Sequence, residues 1–166
     1  MTFELQLRYS TPLTPIRDPD QVLKEFLVHL GYLPEGESPE RSVAYRLVRQ
    51  CLLRNPERSW YAEELLSVLD TSKPTLYRHL NKLKTLDLLE EVSEPKDKVR
   101  GRKGYRLRYG NLSRAWDFVE ANATNALKRY RETVDHLQSL LEEERRTVRA
   151  PKEGSVRAPP ASVAGS

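Results

Sequence analysis

Apolar residues recur every three or four positions in two neighbouring stretches near the middle of the chain, Ala62 to Leu69 and Ser72 to Thr85. These apolar positions are Leu65, Leu66, Leu69, Leu76, Leu80 and Leu83. Residues at such spacings share one face of an α-helix and can pack against a core. Because the turn-forming residues Asp70 and Thr71 separate the stretches, the pattern predicts two short helices joined by a tight turn.

The second of these helices has a marked start and a polar outer face. Ser72 can cap the first turn through its hydroxyl, and Pro74 fits an early helical position because its missing N–H is not needed there. At about 100° per residue, six residues lie opposite the leucines. They are Pro74, Thr75, Arg78, Asn81, Lys82 and Thr85. Arg78 and Asn81 are side-chain types that pair with guanine and adenine edges.

A β-hairpin is predicted after the second helix. Leu88 to Val92 forms a short apolar and charged run, and the residues from Tyr105 to Tyr109 alternate between apolar and basic, as a half-exposed strand does. The segment between them, Glu94 to Gly104, contains one proline and two glycines, which favour turns.

Positive charge is concentrated on this hairpin. Between positions 96 and 108 there are seven basic residues and only one acidic residue, Asp97. They are Lys96, Lys98, Arg100, Arg102, Lys103, Arg106 and Arg108. From Ser72 to Tyr109, eleven Lys and Arg against five Asp and Glu give +6, whereas the whole chain carries +4. A block of one sign favours an anionic partner, and the sequence pI of about 9.2 agrees.

Upstream, apolar spacing predicts a helix from Pro39 to Arg54 that ends near Asn55 and Pro56. Cys51 lies on its apolar face, so it is interpreted as a core residue. Alternation from Phe3 to Leu7 predicts an edge strand. A further helix is predicted from Pro19 to Leu30, whose broad apolar stripe must cover the neighbouring domain, a dimer mate or another protein.

Downstream, residues 112 to 149 contain neither Gly nor Pro and repeat apolar or small residues at steps of three and four. They predict a long helix of about 38 residues, roughly 57 Å. The apolar stripe along this helix is too long for one chain of this size to bury, so we expect the helix to pair with a second copy in a parallel or antiparallel homodimer. The Pro- and Gly-rich residues 150 to 166 are predicted to be disordered.

The run AEELLSVLDTSKPTLYRHLNKLKTLDLLEEV, followed by the basic hairpin, resembles winged-helix transcriptional regulators of the arsenical-resistance-repressor and multiple-antibiotic-resistance type. The resemblance covers about Ser42 to Tyr109. It implies that Ser72 to Thr85 is a recognition helix for the major groove, and that Pro95 to Tyr105 is a wing that lies on the flanking DNA backbone or minor groove.

The chain departs from this pattern at two points. Regulators of this type often place Ser or Thr before the Ala-Glu-Glu-Leu run, where this chain has Trp60 and Tyr61. We expect the two aromatics to pack beneath the wing as core or short-strand residues, with Ser59 as the cap. Metal-sensing members need clustered Cys and His, whereas this chain has Cys51 and three scattered histidines, so no metal site is predicted.

The sequence therefore predicts a mainly α-helical fold with a small hairpin wing, a winged helix-turn-helix followed by a long C-terminal helix. Expected divisions are an extension over 1–38, the winged domain over 39–110, a dimerisation helix over 111–149 and a tail over 150–166. Double-stranded DNA is the expected partner. Backbone contacts are predicted for Lys96, Lys98, Arg100, Arg102 and Lys103. Groove contacts are predicted for Ser72, Lys73, Thr75, Arg78, Asn81 and Lys82, with a phosphate contact through the Tyr77 hydroxyl.

The predicted function is that of a dimeric, sequence-specific transcriptional regulator in the cytoplasm. Two alternatives stay open: a winged-helix module that binds proteins, and a protein that binds duplex RNA or chromatin without sequence preference. The chain has no phosphate-binding loop and no recognisable nucleophile, so neither an enzyme nor a cofactor is predicted. Its apolar runs are far shorter than the roughly 20 residues that span a membrane.

Overall fold

A computed structural model describes residues 2–8, 12–93 and 102–154. The chain divides into two compact units, Met1–Ala123 and Thr124–Ser166. In the described residues, the first unit contains four α-helices, a short 3-10 helix over Arg108–Gly110 and a small sheet, and a fifth α-helix begins in the first unit and ends in the second.

Helix α1 spans Pro19–His29 and begins at Asp18, whose carboxylate accepts a hydrogen bond from the Asp20 N–H at 3.1 Å. Leu23 and Leu27 of its apolar stripe are buried in the main core of the first unit, and Leu30 is buried in a second apolar cluster. Asp20 accepts hydrogen bonds from the Tyr45 hydroxyl at 3.0 Å and from the Arg49 guanidinium at 2.6 Å, and these bonds tie α1 to the next helix. The predicted helix is confirmed, and these three leucines are covered by its own chain, whereas Val22 and Phe26 remain partly exposed.

Helix α2 spans Val43–Arg46 and continues as a π-helix over Leu47–Leu52. The Leu53 N–H donates to the Val48 carbonyl at 2.8 Å, a five-residue separation that defines the wider helix. The predicted start at Pro39 is wrong, because the Ser42 hydroxyl caps the helix by accepting from the Tyr45 N–H at 3.2 Å. Cys51 is fully buried, as predicted, and burial raises the pKa of its thiol.

Helix α3 spans Ala62–Leu69, and α4 spans Lys73–Thr85. Asp70 ends α3 in the left-handed conformation with φ of 47°, which produces the tight turn between the two helices. Four of the predicted leucines, Leu65, Leu69, Leu76 and Leu80, have no exposed surface. The predicted pair of helices and the turn between them are therefore confirmed.

A three-stranded antiparallel sheet closes the first unit. Its strands are β1 (Trp60–Tyr61), β2 (Leu89–Val92) and β3 (Gly104–Leu107), in the order β1-β3-β2. Trp60 pairs with Tyr105 and is buried, which confirms its interpretation as a core and short-strand residue. The last strand ends two residues before Tyr109, because Tyr109 adopts a left-handed φ of 59° that breaks the extended backbone.

Ser59 does not cap α3. That helix follows Tyr61 without any side-chain cap, and the Ser59 hydroxyl is buried beside Gly104 instead. A Cβ at position 104 would lie 2.0 Å from the Ser59 Oγ atom. The prediction was wrong because Trp60 and Tyr61 form β1 directly before α3. Ser59 therefore precedes the strand and is too far from the first turn of the helix to cap it.

The predicted edge strand over Phe3 to Leu7 is also wrong. Residues 2–8 form no strand, and Glu4 donates a backbone hydrogen bond to the carbonyl of Thr85 at 3.0 Å. Phe3 and Leu5 pack against a second apolar cluster that contains Leu30 and Leu86. Phe3 and Leu5 therefore alternate with polar residues because they pack on this cluster beside the end of α4, and not because they belong to a strand at a sheet edge.

Helix α5 spans Leu112–Gly154. In the first unit its Ala115 and Val119 are buried in the second apolar cluster. The predicted end at Arg149 is wrong, because the helix continues for five residues into the predicted tail. Extending an existing helix costs far less than starting one, and the helix continues to Gly154 although Pro151 and Gly154 are poor helix formers. The rest of the tail, residues 155–166, lies outside the described residues.

Candidate nucleic-acid interface

Helix α4 presents a polar face whose orientation is fixed by its buried leucines. Leu76, Leu80 and Leu83 hold one side of the helix in the core. On the other side Lys73, Arg78, Asn81 and Lys82 are exposed, together with Ser72 before the helix. Within the described part of the chain, neither Lys73 nor Arg78 forms an ion pair with a carboxylate.

The start of α4 is closed by two hydroxyl groups. The Ser72 Oγ accepts a hydrogen bond from the Thr75 N–H at 3.4 Å and donates to the Thr75 hydroxyl at 2.9 Å. Ser72 therefore caps the helix, as the sequence predicted, and the Thr75 hydroxyl holds the capping hydroxyl in place. The first-turn N–H groups give this end of the helix a partial positive charge, to which the exposed Lys73 adds a full one.

A groove of about 450 Å³ lies beside α4, and its lining includes three basic side chains and one acidic side chain, Glu37. Arg78 and Lys82 come from α4, and Arg41 comes from the turn before α2. Lys82 also donates to the Gly31 carbonyl and lies over the Tyr32 ring, 5.9 Å from its centroid. Arg41 is not among the residues predicted from the sequence, and nothing in the local sequence pattern indicates its place beside α4.

His79 lines the same groove and is half-buried. Its ring meets the Tyr32 ring edge to face, with the ring centroids 5.9 Å apart. Burial lowers the pKa of His79, and the neighbouring charges of Arg78 and Lys82 lower it further. The imidazole is therefore held neutral beside the basic face of α4.

Tyr77 does not lie on the exposed face of α4. It is half-buried and packs against the main core, close to Tyr105 on β3. Burial raises the pKa of Tyr105 to about 12, with further contributions from Tyr77 and Glu91. The structure thus places Tyr77 between α4 and the sheet.

Two predicted contact residues lie at the described base of the wing. The Arg102 guanidinium stacks 3.8 Å above the centroid of the Tyr61 ring and lies 3.8 Å from the Glu63 carboxylate. The Lys103 amine lies 3.3 Å from Glu91, which also pairs with Lys84. Hydrogen bonds from Lys84 lower the pKa of Glu91 and keep it charged. The predicted contacts Lys96, Lys98 and Arg100 lie outside the described residues.

The last two basic residues of the hairpin are paired within the fold. The Arg106 Nε lies 2.6 Å from the Glu90 carboxylate across the strands. Arg108 lies 3.8 Å from Asp87, and its Nε donates to the Asp87 carbonyl at 2.7 Å. These partners neutralise part of the charge that the sequence concentrates in this region.

The described residues contain neither a metal-binding cluster nor a membrane-spanning helix. No group of three or more His, Cys, Asp or Glu side chains there is arranged to hold a metal ion. None of the helices in that part of the chain has the length and apolar character needed to cross a membrane.

Helices α2, α3 and α4 with the three-stranded sheet define a winged helix-turn-helix, and α5 follows it as the predicted long C-terminal helix. Residues 41–92 match a family model described as a helix-turn-helix domain. No curated protein matches the chain significantly.

Solved structures of several regulators match at low similarity. S. aureus MepR in its DNA-binding conformation is 14% identical, with 83% of this chain and 90% of that one covered and a TM-score of 0.35. The PcaV transcriptional regulator from Streptomyces coelicolor is 18% identical, with coverage of 86% and 99% and a TM-score of 0.32. The transcriptional regulator PA4135 is 17% identical, with coverage of 84% and 98% and a TM-score of 0.34.

Proposed function

We propose that this protein is a cytoplasmic, dimeric transcriptional regulator that binds double-stranded DNA, with α4 in the major groove and the wing on the backbone. The observation that carries the proposal is the exposed face of α4. It combines the cationic residues Lys73 and Arg78 with the amide of Asn81, on a helix whose other side is locked into the core.

Base readout is assigned to Arg78 and Asn81. They lie three residues apart and are both exposed, so they project from neighbouring turns of the same helix face. The major groove is about 12 Å wide and admits an α-helix. There a guanidinium pairs with two acceptors of guanine, and a carboxamide pairs with the acceptor and donor of adenine.

Phosphate contacts are assigned to the residues that surround this face. Ser72, Lys73, Thr75 and Lys82 flank the readout residues on α4, and Arg41 lies across the adjoining groove. Arg102 and Lys103 extend the set at the base of the wing. Glu63 is 74% exposed and Lys103 is 56% exposed, so each ion pair has one solvent-exposed partner and phosphate groups can compete with the carboxylates.

Three wing-tip residues, Lys96, Lys98 and Arg100, complete the phosphate contacts in this proposal. Tyr77 is kept as a phosphate contact only through its hydroxyl, since its ring packs against the core. No catalytic, metal or cofactor role is assigned to any residue.

The dimer is assigned to α5 within residues 112–149. In the second unit the large apolar side chains of this helix are exposed to solvent. Two copies joined there would present two recognition helices, so the expected target is an inverted repeat with half-sites about one helical turn apart.

Selection from pooled random duplexes tests the proposal. The protein is titrated against the pool from about 50 to about 300 mM salt, and the DNA still bound at the upper end is sequenced. We expect log affinity to fall with log salt by about 0.9 per phosphate contact, and an inverted repeat to be enriched.

Other results would replace the proposal. Steep salt dependence without an enriched sequence would indicate an architectural protein that binds any duplex. No binding even at about 50 mM salt would contradict nucleic-acid binding and favour a protein-binding winged helix.

A further inference from the structure

The end of α4 is closed by a left-handed residue that is not glycine. Asp87 has a φ of 60°, and its N–H donates to the Lys84 carbonyl at 3.0 Å. The next N–H, that of Leu88, donates to the Leu83 carbonyl at 3.2 Å. These two bonds define the Schellman motif, in which glycine is usual at this position because most side chains disfavour the left-handed conformation. The helix end alone therefore gives no reason for an aspartate.

The Asp87 carboxylate makes contacts that glycine could not make. Its Oδ2 accepts a hydrogen bond from the Asn122 amide of α5 at 2.6 Å, and its Oδ1 lies 3.8 Å from the guanidinium of Arg108. The Arg108 Nε also donates to the main-chain carbonyl of Asp87 at 2.7 Å. Arg108 directly follows β3. These three residues, the Asp87 network, thus connect the end of α4, the base of the wing and α5, all within the first unit.

The Asp87 network is shielded from solvent. The side chains of Asp87 and Arg108 are 21% and 20% exposed, and Asn122 is half-buried. The Arg108 guanidinium lies 4.3 Å from the centroid of the Phe118 ring of α5. Hydrogen bonds to a charged group are stronger than neutral ones, and shielding limits the competition from water. The network therefore differs from an ordinary surface ion pair.

Apolar packing beside the network does not by itself fix a direction. Leu86 and Leu88, on either side of Asp87, are buried in the second apolar cluster together with Ala115 and Val119 of α5. Apolar contacts of this kind are non-directional, whereas a hydrogen bond requires a defined distance and angle. The Asp87 network therefore supplies the directional part of the attachment between α4 and α5.

We propose that Asp87 is a positioning residue that holds the start of α5 at a fixed orientation to α4 and thereby sets the half-site spacing that the protein accepts. The inference rests on the proposed function, in which α4 reads DNA and α5 forms the dimer. Because α5 is one continuous helix over Leu112–Gly154, its attachment at Asn122 belongs to the path that connects the two α4 helices of a dimer. A loose attachment would let those helices reach half-sites at several spacings.

The geometry of DNA makes spacing a sensitive readout. One added base pair moves a half-site by about 3.4 Å along the duplex axis and turns it by roughly 35°. A rigid dimer cannot follow both changes. The parent protein should therefore bind the selected inverted repeat at least about tenfold more tightly than the same repeat with one base pair inserted between its half-sites.

Asp87→Gly removes the carboxylate and keeps the turn. Glycine adopts the left-handed conformation without strain, so α4 should end as it does in the parent. We expect the preference for the selected spacing to fall at least about fivefold, because the directional attachment is lost. Affinity for a duplex with a single half-site should change by less than about twofold, because the exposed face of α4 is untouched.

Asn122→Ala should relax the spacing preference from the α5 side of the same hydrogen bond. Its matched control is Asn125→Ala, which removes the same side chain at an exposed position of the same helix. The double variant Asp87→Gly with Asn122→Ala should be no worse than either single variant, because both remove one interaction.

Asp87→Asn is the conservative variant. A carboxamide tolerates the left-handed conformation, and its oxygen can still accept from the Asn122 amide, so most of the spacing preference should be retained. A merely structural role of Asp87 would have a different result. It would lower affinity for the single half-site and for every spacing alike.

A measurement without DNA tests the attachment itself. Asn81→Cys on α4 and Asp117→Cys on α5 place spin labels at exposed positions of the first unit, and the native Cys51 is fully buried and hence protected from the label. Labelled protein is diluted with unlabelled protein so that only distances within one chain are measured. The distance distribution should be narrow in the parent and in Asn125→Ala, and broader in Asp87→Gly and Asn122→Ala.

An unchanged distribution in both variants would overturn the proposal whatever the DNA result. An unchanged spacing preference in Asp87→Gly would also overturn it, as would a loss of affinity for the single half-site as large as the loss for the full repeat. Broader distributions in a protein that selects no duplex would support the attachment and reject the proposed function alone.

Discussion

At the scale of single residues, substitution of Arg78 distinguishes the proposed recognition of base sequence from general electrostatic attraction to DNA. Arg78→Ala should weaken binding to the selected sequence by about 1–3 kcal/mol, because the bidentate contact with a guanine is lost. Binding to random duplex should weaken much less. Fluorescence anisotropy on the two duplexes at one salt concentration measures both effects.

Arg78→Lys is the matched control for this position. Lysine keeps the positive charge but lacks the planar fork of donors, so affinity for random duplex should be retained while discrimination falls. Equal weakening of both duplexes by Arg78→Ala would show that Arg78 contacts only phosphate.

His79 makes the stability of the folded chain depend on pH. Its pKa is lowered in the fold, first by burial and then by Arg78 and Lys82. Below about pH 6.5, the ordinary value for histidine, the unfolded chain binds a proton that the folded chain does not. The free energy of unfolding should therefore decrease as pH falls from about 7 to about 5.

Urea denaturation at several pH values measures this dependence. His79→Gln removes the titrating ring, so the decrease should be smaller in that variant than in the parent. His136→Gln, at an exposed position of α5, is the matched control for the loss of a histidine side chain. A parent-like slope in the His79 variant would exclude this histidine as the source.

At the scale of secondary-structure elements, the base of the wing depends on close packing between Ser59 and Gly104. Gly104→Ala would place a methyl group on the Ser59 hydroxyl, so β3 would have to shift away from β1. We expect a loss of about 1–3 kcal/mol in the free energy of unfolding, measured by thermal or urea denaturation.

A double mutant distinguishes the steric clash with Ser59 from any other effect of replacing Gly104. Ser59→Ala removes the atom that the new methyl group would meet, so Ser59→Ala with Gly104→Ala should recover part of the loss. Additive destabilisation in the double mutant would show that the two positions do not act on each other.

The elements also show which parts of the fold local sequence can predict. Helices α3 and α4 follow from leucine spacing, the Ser72 cap and the turn at Asp70, all of which act within a few residues. Ser59 and the segment from Phe3 to Leu7 were misassigned because their roles depend on partners distant in sequence. The π-helical turn was also missed, because it is only six residues long and its buried residues Leu47, Val48, Cys51 and Leu52 fit α-helical spacing equally well.

The same limit applies to the candidate interface. The exposed residues of α4 could be predicted from the helical period, since the leucines determine which side faces outward. Arg41 could not be placed, because it reaches the groove beside α4 only through tertiary packing. The internal pairing of Arg106 and Arg108 also depends on the fold, as the register of the strands brings Glu90 to Arg106.

At the scale of the whole molecule, the candidate DNA-binding face and the exposed apolar stripe of α5 lie in different units. The groove beside α4 and the base of the wing lie in the first unit, and the exposed apolar residues from Leu127 to Val148 lie in the second. Variants of these apolar residues should therefore change the concentration at which the proposed dimer forms without altering which base sequence the protein prefers.

The segment that is recognisable by family comparison is smaller than the segment that can fold cooperatively. Residues 41–92 omit β3, the central strand of the sheet, and α1, whose Leu23 and Leu27 are buried in the main core. A peptide cut to those limits would leave two strands without the neighbour that joins them and would uncover the leucine side chains beneath α1. Excised at its homology boundaries, the domain would be an aggregation-prone fragment, and its true physical limits lie near those of the first unit.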